Sequence, residues 1–66
     1  MLSARNQFKG TVKSVKMGNV MTEVVISVGE LEIISAITRG SAEHLDLKAG
    51  DTVTAVIKAT EVLVDK

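Results

Sequence analysis

Leu31-Glu32-Ile33-Ile34-Ser35-Ala36-Ile37-Thr38-Arg39-Gly40-Ser41-Ala42-Glu43-His44-Leu45-Asp46-Leu47 decides the fold, because the character of the chain changes part-way along it. Up to Ile37 it is rich in β-branched and apolar residues, which predicts a strand. Thr38, Gly40 and Ser41 are turn and capping residues. From Ser41 to Leu47 the chain reads as a helix of at most two turns, with Ser41 as its N-cap.

Working outward, Gly29-Glu30 reverses the chain between this strand and residues 20–28. Val20, Thr22, Val24, Val25, Ile26 and Val28 there predict a strand packed on much of both faces. Met17-Gly18-Asn19 is a turn, since Gly and Asn tolerate the positive φ of a hairpin reversal. Residues 8–16 form the first strand. Val12 and Val15 interrupt Lys9, Lys13 and Lys16 in a broken alternation, and Gly10 marks a bulge or a close backbone approach. On the other side Ala49-Gly50-Asp51 ends the helix. Residues 53–58 alternate as a fourth strand, and a turn at Ala59-Thr60 leads to Glu61-Val62-Leu63-Val64 as a fifth. Three strands, a helix and two strands is the order of an all-β, five-stranded Greek-key barrel of the OB type, with the one short helix between strands 3 and 4 plugging an end. There is no proline, repeat or linker, so residues 1–66 are expected to form a single domain.

A chain of 66 residues buries only about 60% of the surface exposed by its unfolded form, so its own core is marginal. It has no cysteine to staple itself with, and 45% of its residues are hydrophobic with a single aromatic among them. Burial against further copies is the remaining source of stability, which predicts a homo-oligomer. No apolar run approaches the roughly 18 residues of a membrane span, and no signal segment opens the chain, so a cytoplasmic protein without a membrane partner is expected. Eight basic and eight acidic residues cancel, leaving no global field for a phosphate backbone. An anion site must therefore be local.

Several residues have the chemistry for one. Ser3 and Arg5 place a hydroxyl and a forked guanidinium at i, i+2, on one face of an extended chain. Thr38 and Ser41 sit where a strand yields to a helix, a place that caps the helix and also favours anions. Lys58 closes the fourth strand on the face opposite Val53, Ala55 and Ile57. His44 is the only histidine and has neither a second histidine nor a cysteine to work with. No nucleophile, base and orienter can be assembled, so neither catalysis nor a bound metal cation is expected. Glu30 and Glu32, close in sequence across a turn, have the spacing of a solvated edge.

The run Ser3-Ala4-Arg5-Asn6-Gln7-Phe8-Lys9-Gly10 resembles the opening of the molbindin (Mop-domain) family of small molybdate-binding proteins. The likeness continues through Ile37-Thr38-Arg39-Gly40-Ser41 and Thr54-Ala55-Val56-Ile57-Lys58-Ala59-Thr60. The resemblance implies an oxyanion site of Ser3, Arg5, Thr38, Ser41 and Lys58 with the backbone N–H of Ala59, where some members carry serine. It further implies molybdate or tungstate as ligand, no cofactor, storage or buffering as the role, and a homohexamer. Ser3 and Arg5 would come from one subunit and Thr38, Ser41 and Lys58 from its neighbour. A different use of OB folds is to bind single-stranded nucleic acid, by stacking bases on aromatics along a basic groove. With Phe8 as the one aromatic and zero net charge, that alternative lacks both parts, and a nucleic-acid partner is not expected.

Overall fold

Val12 and Val15 both have to face the core, yet a three-residue spacing sends side chains to opposite faces of a regular strand. The computed structural model, which describes residues 4–66, resolves the conflict with a β-bulge. Val12 pairs with Ile26 and Ser14 with Val25, so Lys13 is the extra residue, and Val15 then pairs with Val24. The broken alternation in the sequence is the trace of this bulge, which lies three residues after Gly10.

Strand β1 (Asn6–Met17) is the axis of the fold. It is followed by β2 (Met21–Val28), β3 (Leu31–Thr38), helix α1 (Arg39–Leu45), β4 (Thr52–Ile57) and a 3-10 turn, Ala59–Glu61. The sheet is antiparallel with the order β3-β2-β1-β4. The first half of β1 pairs with β4 and the second half with β2, so one long strand joins two ladders. Val12, Val24, Ile26 and Ala55 form the buried cluster, with Val15, Val28, Ile33, Ile37, Leu47 and Val53 packed around it. Thr22 is buried among them and gives its hydroxyl proton to the Met17 sulfur at 3.1 Å. Lys13, pushed out by the bulge, reaches over β2 to pair with Glu32 on β3.

Gly10 is a close approach. A Cβ placed there would stand 2.4 Å from the Ser27 carbonyl oxygen and 2.9 Å from methyls of Ile26 and Val28, so the curl of β1 against the end of β2 requires a residue without a side chain.

Three expectations are corrected. The helix is capped by Thr38, not Ser41: the Thr38 hydroxyl accepts from the Ser41 N–H at 3.1 Å, and the helix begins at Arg39. It stops at Leu45, two residues early, because Asp46 adopts a left-handed conformation (φ 50°) and the Leu47 N–H folds back to the Ala42 carbonyl at 3.3 Å. Lys58 lies just past β4, at the entrance to the 3-10 turn.

The largest difference is at the C-terminus. Residues 61–64 do not form a fifth strand, and among the described residues the sheet has four strands and stays open. The chain leaves the 3-10 turn at Val62, and Leu63 and Val64 are 93% and 92% exposed. A strand needs a neighbour to take its N–H and C=O groups, and these residues have none among the described residues. What remains where a fifth strand would close a barrel is an apolar groove of ≈ 690 Å³, lined by β3 on one bank and β4 on the other.

Candidate functional site

Two of the residues singled out above are placed by strand register. The last pair of the β1·β4 ladder is Asn6 with Ile57, and Arg5 and Lys58 are the residues just beyond that pair on their two segments, at the same end of the sheet. Both are exposed, and among the described residues neither has a carboxylate partner, since the ion pairs fall on Lys13, Arg39 and Lys48. Two uncompensated cations therefore share one end of the sheet. The 3-10 turn begins beside them without a side-chain cap. Its bonds run from the Glu61 N–H to the Lys58 carbonyl at 2.9 Å and from the Val62 N–H to the Ala59 carbonyl at 3.4 Å, so the Ala59 and Thr60 N–H groups have no partner within the turn. Ala59 is exposed and donates through its backbone whatever its side chain. Ser3, two residues before Arg5, lies outside the described residues.

Thr38 and Ser41 form a second group. Thr38 is the last residue of β3, paired with Met21, and its hydroxyl bonds both the Ser41 N–H and, at 2.8 Å, the Ser41 hydroxyl. Each hydroxyl has one proton to give, so one of the two is used inside the pair and one is left to point outward. The Arg39 N–H is taken by the Val20 carbonyl at 2.7 Å, and the Arg39 side chain is held by Glu43 at 2.8 Å. Gly40 and Ser41 are left exposed at the start of the helix.

The two groups are not brought together within the chain. Arg5 precedes the first residue of β1, whereas Thr38 lies near the last, since Met17 pairs with Thr22 and Thr22 with Ile37. They also sit on opposite banks of the open groove, Ile37 and Leu45 lining it on one side and Ile57, Lys58 and Glu61 on the other. Among the described residues no hydrogen bond or ion pair connects them. Within the chain, Lys58 lies at the same end of the sheet as Arg5, and Thr38 and Ser41 lie at the other end. Sequence spacing cannot show this, because Arg5 and Lys58 are 53 positions apart (58 − 5) and come to one end only through register. The free N–H groups of the turn also had no signal beyond the Ala59-Thr60 pair itself.

His44 is exposed in the last turn of α1. Among the described residues no cluster of His, Asp or Glu could hold a metal ion, and no helix is long and apolar enough to cross a membrane. Phe8 pairs with Ala55 and is 41% exposed, one aromatic where a single-stranded nucleic-acid groove stacks successive bases on several.

Known proteins give this geometry its context. The model of the TOBE domain matches residues 2–64. Molybdenum-pterin-binding protein 3 of Clostridium pasteurianum is 47% identical over 64 residues, an alignment covering 96% of this chain and 94% of that protein. The chain belongs to the molbindin family of TOBE domains. Molbindin likeness holds in three dimensions too. A molybdate-binding protein from Sporomusa ovata superposes with a TM-score of 0.96 at 44% identity, over 100% of this chain and 98% of that one. The cytoplasmic molybdate-binding protein ModG, in a molybdate-bound crystal form, superposes with a TM-score of 0.84 at 43% identity, over 89% of this molbindin and 43% of the longer ModG chain.

Proposed function

We propose that this chain acts as a single domain that takes up molybdate, and tungstate, as a cytoplasmic store or buffer, in sites shared between subunits of a homohexamer. Binding, not catalysis, is its activity. Molybdate is a tetrahedral dianion with no apolar surface, so it is held by fixed donors and opposing charge. Arg5 and Lys58 supply two positive charges, and the Ala59 N–H and Ser3 add donors beside them. Thr38 and Ser41 of a second subunit bring the remaining hydroxyl to the other side of the anion. The observation that carries this reading is the β1·β4 ladder ending at Asn6 and Ile57, which leaves Arg5 and Lys58 at one end of the sheet, in a family whose relatives include molybdate-binding proteins.

Arg5→Ala is expected to lower molybdate affinity by at least about tenfold, because a charged hydrogen-bonding partner of the anion is lost. Arg5→Lys weakens binding less, since an ammonium keeps the charge but not the planar fork. Calorimetry reads both, and an unchanged affinity in Arg5→Ala removes the residue from the site. Subunit mixing tests how the site is shared. Arg5→Ala and Ser41→Ala chains, refolded together in equal amounts, should regain about a quarter of the wild-type sites, one half times one half, because a site is intact only when each chain lends its undamaged half. Arg5→Ala mixed with Lys58→Ala should regain none, and the reverse pattern would refute this grouping.

A further inference from the structure

We propose that Met17 is a site of reversible oxidation by hydrogen peroxide, that the buried Thr22 hydroxyl directs the reaction to one sulfoxide epimer, and that the sulfoxide loosens the hairpin on which α1 starts. Met17 ends β1 and pairs with Thr22 across the turn to β2. Thr22 is 1% exposed, and its hydroxyl donates to the Met17 sulfur at 3.1 Å, its only side-chain hydrogen bond among the described residues. Met17 itself is 45% exposed. A shallow cavity of ≈ 290 Å³, lined by Met17, Met21 and Thr22, opens beside it. The thioether is held from the protein side and open to a small solute from the other.

A buried hydroxyl ordinarily finds an oxygen acceptor, and a thioether is a weaker one. Sulfur also brings chemistry that oxygen lacks. It has two lone pairs, of which Thr22 covers one with its proton and leaves the other for an electrophile. In oxidation the free lone pair attacks one oxygen of the peroxide, the S–O bond forms and the O–O bond breaks. The departing hydroxide takes the proton of the transferred oxygen and leaves as water, so the sulfur loses two electrons and the peroxide gains them. Return needs a dithiol, which supplies two electrons and two protons, becomes a disulfide and releases the oxygen as water.

The two lone pairs lie on opposite sides of the C–S–C plane, so the side on which oxygen enters sets the chirality of the sulfoxide. Attack on the covered side first requires breaking the Thr22 bond. An ordinary net hydrogen bond corresponds to about a fivefold difference in rate, so about five Met17 sulfoxides in six are expected to be the same epimer. Met21 is the internal comparison. It is 47% exposed, close to Met17, and among the described residues no hydroxyl donates to its sulfur.

Oxidation then undoes the bond that directed it. The sulfur of a sulfoxide is electron-poor and its oxygen points away from Thr22, so the buried hydroxyl is left without its acceptor. The surrounding contacts carry this to the start of α1. The Gly18 N–H donates to the Met21 carbonyl at 2.8 Å, the Val20 carbonyl takes the Arg39 N–H at 2.7 Å, and the Gly18 carbonyl accepts from Arg39 Nη1 at 3.4 Å. Thr38 pairs with Met21. A hairpin loosened at Met17 therefore slackens the support of both Thr38 and Arg39. Any effect on anion affinity rests on the proposed role of Thr38, and the tests below use no oxyanion, so a failure of molybdate binding leaves them unaffected.

The first test treats the purified native protein with hydrogen peroxide and locates the sulfoxides at Met17 and Met21 by fragment-ion mass spectrometry. Portions of the denatured, digested protein are then reduced with one or the other type of methionine sulfoxide reductase, each of which acts on one epimer. At Met17 one type is expected to remove about five-sixths of the sulfoxide and the other the remainder, against a near-even division at Met21. An even division at Met17, or no oxidation of Met17 where Met21 reacts, overturns the proposal. Thr22→Val should bring Met17 to an even division and Thr22→Ser should keep the excess, and an excess that survives in Thr22→Val overturns the role of the hydroxyl. The wild-type comparison stands without either variant. The second test is amide hydrogen exchange. The Arg39 N–H is expected to exchange about fivefold faster after oxidation, with no change in an identically treated Met17→Leu chain. Equal exchange before and after oxidation, or the same rise in Met17→Leu, overturns the loosening of the hairpin.

Discussion

Val12 and Val24 are 1% and 2% exposed, while Val62 and Val64 are 50% and 92% exposed, although all four sit in short β-branched runs of similar composition. The first two are flanked on both sides by paired strands, β1 and β2 each having a neighbour to the left and right. The second two follow the last turn and have no strand beside them among the described residues. Apolar β-branched sequence confers the capacity to be a strand, and burial is conferred by the neighbour.

Substitutions can break or sharpen this contrast. The largest effect is expected from Gly10→Val, which forces side-chain atoms against the Ser27 carbonyl 2.4 Å from the required Cβ position, in the ladder that buries Val12. A loss of about 3 kcal/mol or more is expected, enough to unfold much of a small domain. Urea denaturation reads it, and a loss under about 1 kcal/mol would mean that the sheet can open there without penalty.

Val24→Ala removes two methyls from the centre of the core and is expected to cost about 2 kcal/mol by the same measurement. Thr38→Ala removes the cap of α1 and is expected to cost about 1 kcal/mol. Ser41→Ala keeps that cap and should cost clearly less, an order that would reverse if Ser41 were the cap. Val64→Ala is the smallest. At dilution low enough to separate the subunits it should change stability by less than about 0.5 kcal/mol, as an exposed substitution does. At high concentration the cost should grow, and a cost independent of concentration would show that Val64 is buried within its own chain.

The contrast also explains what could be read in advance. The β2 and β3 strands, the Gly29-Glu30 reversal and the position of the helix follow from residue type over short spans, and they stand within a few residues of expectation. Thr38 and Ser41 were legible as a capping pair because caps are local, although which of them capped depended on where Arg39 was tied to Val20. The bulge at Lys13 was visible only as an irregularity, since a two-against-one pairing exists only once β2 is in place.

By itself the sequence determined which segments are apolar enough to be strands, where the chain must turn, and that basic and hydroxyl side chains were available for an anion. These are properties of single residues and near neighbours, set by steric preference and hydrophobicity. Only the tertiary structure decided that Arg5 and Lys58 lie at one end of the sheet and Thr38 at the other, and that residues 61–64 pair with no strand among the described residues. Both depend on register and edge pairing between segments far apart in sequence. The free energy of such contacts belongs to the pair of segments, and neither segment encodes it alone.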